Sequence, residues 1–436
     1  MFSKLSSTLA LMLAITGASY GQNNTQRVFT SDVDNFWKAY DMSLSTTDSL
    51  KQLNYIQTLY VDKASEGLKA FMVARDYSAP LWVKLIRKYP KFWNSIRANT
   101  LSVKSKGKEI DKSILRFQQL YPELKEAKMY FTVGGLRSGG TVKGNMVLIG
   151  TEIATGTPST NVTEFESSWL PNVFKVQSLD NLVSLNIHEY VHTQQRGSSY
   201  DVLSKCISEG SCDFIAELVM GKPLKAVYID YGLAHQAEVA RAFEQDMFSN
   251  AYNRWLYNGS TTKTVVDLGY FMGYAICKSY YKNAADKQKA IKDIIELDYS
   301  DSNKVEDFLT RSGYYPKGFD KTTLLAALEN KKPTVSKLEP FKNGDQDVDP
   351  GLKQMKIIFS EVMSTERYSF DLGEKGKNHF PLGTPGKFSE DKMGITLNLD
   401  LKPNQEYQFV VTGRGFKSDE GYALKPYVIS FKTRAQ

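Results

Sequence analysis

The chain has 436 residues, of which 42% are hydrophobic and 24% charged, and its formal net charge is +7. That length allows two domains, each with a core of its own. Lys and Arg are spread among acidic residues and no nucleic-acid module is visible, so the positive charge reads as a solvated surface and excludes a nucleic-acid partner. Beyond the first residues no stretch stays apolar for the roughly 18 positions that a membrane-spanning helix needs, so no integral membrane span of that kind is expected.

Residues 1–21 have the form of a signal peptide. Lys4 gives a positive start, Leu9–Ile15 a short apolar run, and Ser19-Tyr20-Gly21 small residues before a cut at Gln22. A lipid anchor would need a cysteine at that cut, and the three cysteines stand at 206, 212 and 277. The expected location is therefore secreted, periplasmic or extracellular, without a lipobox. Residues 22–127 are helical by pattern and aromatic-rich, and are expected to form one wall of a cleft. Residues 128–152 read as strand, glycine-rich hairpin and strand. Within them Met146–Ile149 is either an edge strand that pairs with an extended peptide or an interior strand. The cluster Gly134, Gly135, Gly139 and Gly140 is not a phosphate loop, because no Lys-Ser/Thr follows and no helix opens there.

Residues 188–192 read His188-Glu189-Tyr190-Val191-His192, an H-E-x-x-H pattern that uses two of the chain's four histidines. No Gly or Pro interrupts 181–196. Asp180 is placed to cap this helix and Gly197 to stop it. Positions i and i+4 share a helix face, so His188 and His192 can grip one metal ion with Glu189 beside a metal-bound water. A catalytic zinc has three protein ligands and an open position. Glu209, seventeen residues after His192 and so within reach of an antiparallel return, is the expected third. Asp213, one turn on, is expected to accept the free N–H of a ligating histidine and fix its tautomer. Gly210 is expected to allow close approach of the two site helices, and Glu217 to face solvent. Cys206 and Cys212 flank Glu209 as either a staple or, with Cys277, three buried thiols.

The wording HEYVHTQQ…SEGSCDFIAEL resembles gluzincin-type, predicted zinc-dependent proteases of bacteria that carry E-G-x-x-D-[FY] after the histidine helix. The likeness spans roughly residues 30–300. It implies that His188, His192 and Glu209 bind Zn2+ and that Glu189 is the catalytic base. Tyr270-Phe271-Met272-Gly273 resembles the Y-x-x-G segment through which some gluzincins supply a tyrosine hydroxyl to the oxyanion. Tyr270 is the first choice for that role, with Tyr274 or His235, on a helix at 233–247, as alternatives.

At Pro333 the composition changes to short alternating runs, KQMKIIFS, RYSFDL, GITLNLDL, EYQFVVTG and YVISFKT, as in an antiparallel sandwich. They resemble bacterial Ig-like domains appended to exported enzymes. The fold expected is α+β: a mostly helical, zincin-like metallopeptidase domain with a small sheet over 22–332 (22–127 and 128–332 as its two parts), followed by an all-β Ig-like sandwich over 333–436. The function expected is an exported zinc peptidase acting on a peptide or protein substrate, with water activated by zinc and Glu189 as general base. The alternatives are a surface-binding or adhesion protein with a structural or vestigial zinc site, and a zinc amidase acting on non-peptide or cell-wall amides.

Overall fold

The computed structural model describes residues 26–258 and 265–435. The segment expected to be a signal peptide, 1–21, lies outside the described residues. The molecule is α+β, a large helical region with one small sheet followed by two antiparallel sheets.

The chain opens with β1 (Val28–Phe29) and the helices α1 (Ser31–Leu44), α2 (Ser49–Ile56), α3 (Glu66–Arg75), α4 (Ala79–Lys88) and α5 (Pro90–Leu120). Their shared core is aromatic, with Phe36, Trp82, Phe92 and Trp93 fully buried. Three strands follow, β2 (Lys128–Thr132), β3 (Gly140–Lys143) and β4 (Met146–Gly150). The sheet runs β1-β2-β4-β3, with β2 parallel to β4 and only β3 antiparallel. The edge-strand reading of Met146–Ile149 is therefore wrong. β4 has a neighbour on each side and nearly all its side chains are buried, as a continuous apolar run predicts. β3 is the outer strand.

Next come α6 (Thr151–Ala154), α7 (Trp169–Val176), α8 (Leu182–His192) and α9 (Val202–Met220). α8 is shorter than the Gly- and Pro-free window suggests. Ser178 and not Asp180 accepts the capping bond, at the start of a short 3-10 turn over Leu179–Asn181. The helix ends at His192, and Gly197 (φ +74°) serves a later turn packed on Asp298 and Ser300. α9 starts on a capping box between Asp201 and Ser204 and ends on Gly221 in the left-handed region. Then follow α10 (Val227–Ala234), α11 (Gln236–Glu244), α12 (Leu268–Asn283), α13 (Lys287–Ile295), α14 (Ser302–Ser312) and α15 (Lys321–Asn330). The single helix expected over 233–247 is broken at His235.

α9 is the buried axis of this region, and α12 lies against it at backbone contact. A methyl on Gly210 would stand 2.1 Å from the Tyr274 nitrogen, and one on Gly273 would stand 1.8 Å from the Cys206 carbonyl oxygen. Gly210 thus permits approach of α12, not of α8. Cys206, Cys212 and Cys277 are all buried free thiols.

The five alternating runs become β6 (Gln354–Phe359), β7 (Phe370–Leu372), β9 (Gly394–Asn398), β10 (Glu406–Val411) and β11 (Tyr427–Lys432), joined by β5 (Val335–Glu339) and β8 (Lys387–Phe388). They form sheets β5-β6-β9-β8 and β11-β10-β7 around one core in which Ile357 and Ile395 of the first meet Phe409 and Ile429 of the second. This part is tied to the helices by a buried carboxylate, Asp246. It accepts bonds from Tyr422 Oη (2.6 Å), Arg254 Nε (2.8 Å), Lys331 Nζ (3.1 Å) and Trp255 Nε1 (3.1 Å).

A Gly210→Ala substitution is expected to cost about 3 kcal/mol, because backbone atoms rather than a flexible side chain would have to yield. Urea unfolding of the variant against the wild-type chain measures it, and a loss under about 0.5 kcal/mol would mean the two helices are free to separate.

Candidate metal centre

α8 and α9 pack side by side, and three polar side chains meet between them. His188 Nε2 and His192 Nε2 are 3.2 Å apart; Glu209 Oε2 is 3.2 Å from His192 Nε2 and 3.6 Å from His188 Nε2. Four-coordinate zinc with ligands at about 2.0–2.1 Å has neighbouring ligand atoms about 3.3 Å apart. The three donors stand at that spacing, and their set of two imidazoles and a carboxylate suits zinc.

Each donor is held from behind. His188 Nδ1 lies 2.8 Å from Asp213 Oδ1, and the other Asp213 oxygen accepts from Tyr228 Oη at 2.9 Å. His192 Nδ1 lies 2.7 Å from Gln195 Oε1, while the Gln195 amide donates to the Ser208 carbonyl and to Ser211 Oγ. Glu209 Oε1 accepts from Tyr257 Oη at 2.7 Å and faces Lys205 Nζ at 3.0 Å. Acceptors on both Nδ1 atoms set the tautomer that leaves Nε2 free to bind a cation.

Cys212 also lies close, and its sulfur forms a group within 4.8 Å with ring nitrogens of the two histidines. It approaches His192 on the Nδ1 side, at 3.4 Å, and donates to the Ser208 carbonyl. The two ring nitrogens face apart, so a cation on the Nε2 side cannot also take this thiol. The Glu209 arrangement is the better chelate.

The electrostatics match. Burial opposes a charge on His188, but Asp213 and Glu209 outweigh it and hold its pKa well above the ordinary histidine range. Burial likewise opposes charge on Glu209, and its bonds to His188 and His192, aided by Lys205, hold it well below the ordinary range. The site is thus a negative pocket that stores positive charge, as protons or as a metal ion that would displace them.

Glu189 stands half-buried on α8 beside β3; a methyl on Gly140 would come within 2.9 Å of its Oε1. Tyr270, on α12, lies with its ring 6.0 Å from that of His188 and 5.5 Å from that of Tyr228. Tyr274 points elsewhere, donating to Glu217 Oε2 at 2.8 Å, and Lys278 holds the other Glu217 oxygen. Glu217 is therefore not solvated as expected. His235 stacks on Tyr231 away from the centre. Sequence reasoning missed Tyr228, Tyr257, Lys205 and Gln195. Lys205 had a signal in its i, i+4 spacing to Glu209; the tyrosines arrive from distant segments and had none.

A family model matches residues 22–316, and it describes the lipoprotein family of Gliding motility protein GldB. The chain belongs to this family. That match overturns the resemblance to gluzincin-type proteases and, with it, the reading as a hydrolase, a metalloprotease or any other peptidase. The catalytic roles expected of Glu189 and Tyr270 came with that resemblance, and a chelating helix pair does not by itself make an enzyme. A lipoprotein family is also at odds with the expectation of no lipobox. Among the described residues no helix is long and apolar enough to cross a membrane.

No curated protein matches the sequence. Solved structures with some likeness include CopC from Methylosinus trichosporium OB3b, at 17% identity and TM-score 0.20, covering 24% of this chain and 95% of that one. Others are domains 1–6 of the surface layer protein SbsC (14% identity, TM-score 0.18, covering 61% of this chain and 36% of that one) and the N-terminal part of the bacterial S-layer protein SbsC (11%, 0.18, 61% and 63%). At such TM-scores none of them carries an argument.

The loop that brings β3 to Glu189 is clasped by a buried acid. Glu152 accepts the N–H groups of Gly134 (2.7 Å) and Leu136 (3.2 Å), and burial, only partly offset by those bonds, pushes its pKa up from 4.5 to about 7. A raised carboxylate pKa means that the fold favours the neutral form. Its contribution is fully favourable below about pH 4.5 and is lost as pH rises through 7, by up to about 3 kcal/mol. Glu152→Gln is expected to remove this slope. The stability difference between wild type and variant, followed by thermal unfolding from pH 5 to 8, should shift in favour of the variant as pH rises; a constant difference would show that Glu152 is charged throughout.

Proposed function

We propose that this chain is a membrane-associated component of gliding motility that works by binding at the cell envelope and not by catalysis, with a structural metal ion stapling α8 to α9. The observation that carries the functional reading is the family match over residues 22–316. Membrane association follows from the lipoprotein character of that family, and a leader over 1–21 fits export.

The metal reading rests on the spacing of His188 Nε2, His192 Nε2 and Glu209 Oε2 and on the partner behind each of them. Those three residues would hold the ion, zinc being the best match to the donor set. A divalent ion there would neutralise the buried carboxylate and cross-link two helices, a contribution to folding and not to turnover. In this arrangement 22–332 is the metal-bearing body. Residues 333–436, seven strands in two facing sheets, are read as an Ig-like sandwich that offers a surface for adhesion.

The test is complementation of a gliding bacterium from which the gene has been deleted, with metal quantified in the purified chains. Wild type and Glu189→Gln are both expected to restore spreading and to carry about one equivalent of zinc. His188→Ala and Glu209→Ala are expected to lose the metal, unfold more readily and spread poorly. Chelation should destabilise wild type by about 3 kcal/mol relative to zinc held at a hundredfold excess over its Kd. Wild type that fails to restore gliding sinks the motility reading, and loss of spreading in Glu189→Gln sinks the non-catalytic one. Full metal content in Glu209→Ala sinks the staple.

A further inference from the structure

The corner where α1 turns into α2 carries three large apolar side chains in nine residues, Met42, Leu44 and Leu50, exposed by 38%, 54% and 77%. Exposed apolar groups cost hydration free energy, and a fixed cluster of them marks a contact surface. This corner is fixed. The Gln52 amide donates to the carbonyls of Ser43 (3.0 Å) and Thr46 (2.7 Å), closing the turn. Arg87 at the end of α4 donates to Gln52 Oε1 (2.7 Å) and to Ser49 Oγ (2.8 Å), bolting the turn to the next helix. The backbone that carries the two leucines is thereby held in place, and both side chains stand exposed.

Beside them α2 and α4 enclose an open groove of about 440 Å³, floored by Leu53, Pro80 and Val83 and edged by Lys84, Arg87 and Lys88. Lys84 makes no ion pair among the described residues, and Lys88 pairs with Glu166 at 3.1 Å, a carboxylate 84% exposed. Such a surface pair is weak and easily exchanged. The nearby Asp48 spends its carboxylate on the N–H groups of Leu50 and Lys51 at the start of α2.

We propose that this corner docks on an anionic lipid surface, with Leu44 and Leu50 entering the boundary between headgroups and acyl chains and Lys84 and Lys88 facing lipid phosphates. Apolar tips beside a cationic rim are what interfacial binding requires. An acidic protein would use the cations but would leave separate protruding leucines without a pocket. The proposal rests on the membrane association inferred above and is independent of the metal.

Co-sedimentation of the full chain with vesicles tests it, using phosphatidylcholine with about one-third phosphatidylglycerol, phosphatidylcholine alone, and soluble polyglutamate as a competitor. Wild type should pellet only with the anionic vesicles, and less in high salt. Leu44→Asp with Leu50→Asp, and Lys84→Glu with Lys88→Glu, should each weaken binding about tenfold or more while leaving the unfolding midpoint unchanged, since all four side chains are exposed. No pelleting of wild type with anionic vesicles overturns the proposal. So does binding indifferent to either pair, or polyglutamate displacing the chain while the leucine pair has no effect. Membrane recovery from cells that is the same in wild type and both variants overturns the corner while leaving membrane association standing.

Discussion

A carboxylate cannot be placed in the interior of a protein without something positive to face it. Glu209 is 5% exposed, in the middle of α9, a helix nearly all of whose residues are buried. Leaving it unpaired would cost several kcal/mol. The surroundings of α9 answer that demand: two imidazoles from α8 on one oxygen, Lys205 and Tyr257 on the other. Asp213 makes the same demand one turn on, met by His188 and Tyr228. The packing of α8 on α9, the tyrosines gathered from α10 and from the turn after α11, and the glycines that let α12 close over α9 all follow from enclosing these two acids.

The local chemistry of the centre was legible in the sequence because it is written in short spacings. Histidines at i and i+4, a glutamate on the next helix and an aspartate four residues later needed only helical geometry to be brought together. The α+β class and the five C-terminal runs were legible for the same reason, since period-two alternation over Ile395, Leu397 and Leu399 survives without tertiary knowledge. What failed depended on long-range partners. Met146–Ile149 became an interior strand because β2 and β3, not anything within it, chose its neighbours. Gly210 was rightly seen as a close approach, but the helix that uses it comes some sixty residues later. Tyr274 and Glu217 found each other across two helices and so left the roles their spacing suggested.

The functional reading failed for a different reason. H-E-x-x-H encodes a way of presenting two imidazoles on one helix face, and any protein that needs a chelating or charge-storing helix pair can use it. The step from chelate to peptidase rested on resemblance, and the match of 22–316 to a gliding-motility lipoprotein family replaces it. Stability and attachment are then the natural uses of the parts: a helix pair whose facing side chains meet at a buried point, an Asp246 knot that joins the helices to the C-terminal sheets, and an exposed leucine–lysine corner at the far N-terminal side of the chain.

Cobalt(II) substitution followed by electronic absorption tests the central claim most directly, because it reports both the geometry and the identity of the donors. The account predicts one bound cobalt with the intense visible bands of a four-coordinate ion, no thiolate-to-cobalt charge-transfer band, and loss of binding in Glu209→Ala but not in Cys212→Ser. A thiolate band that disappears in Cys212→Ser, or no cobalt bound to the folded chain, would contradict it.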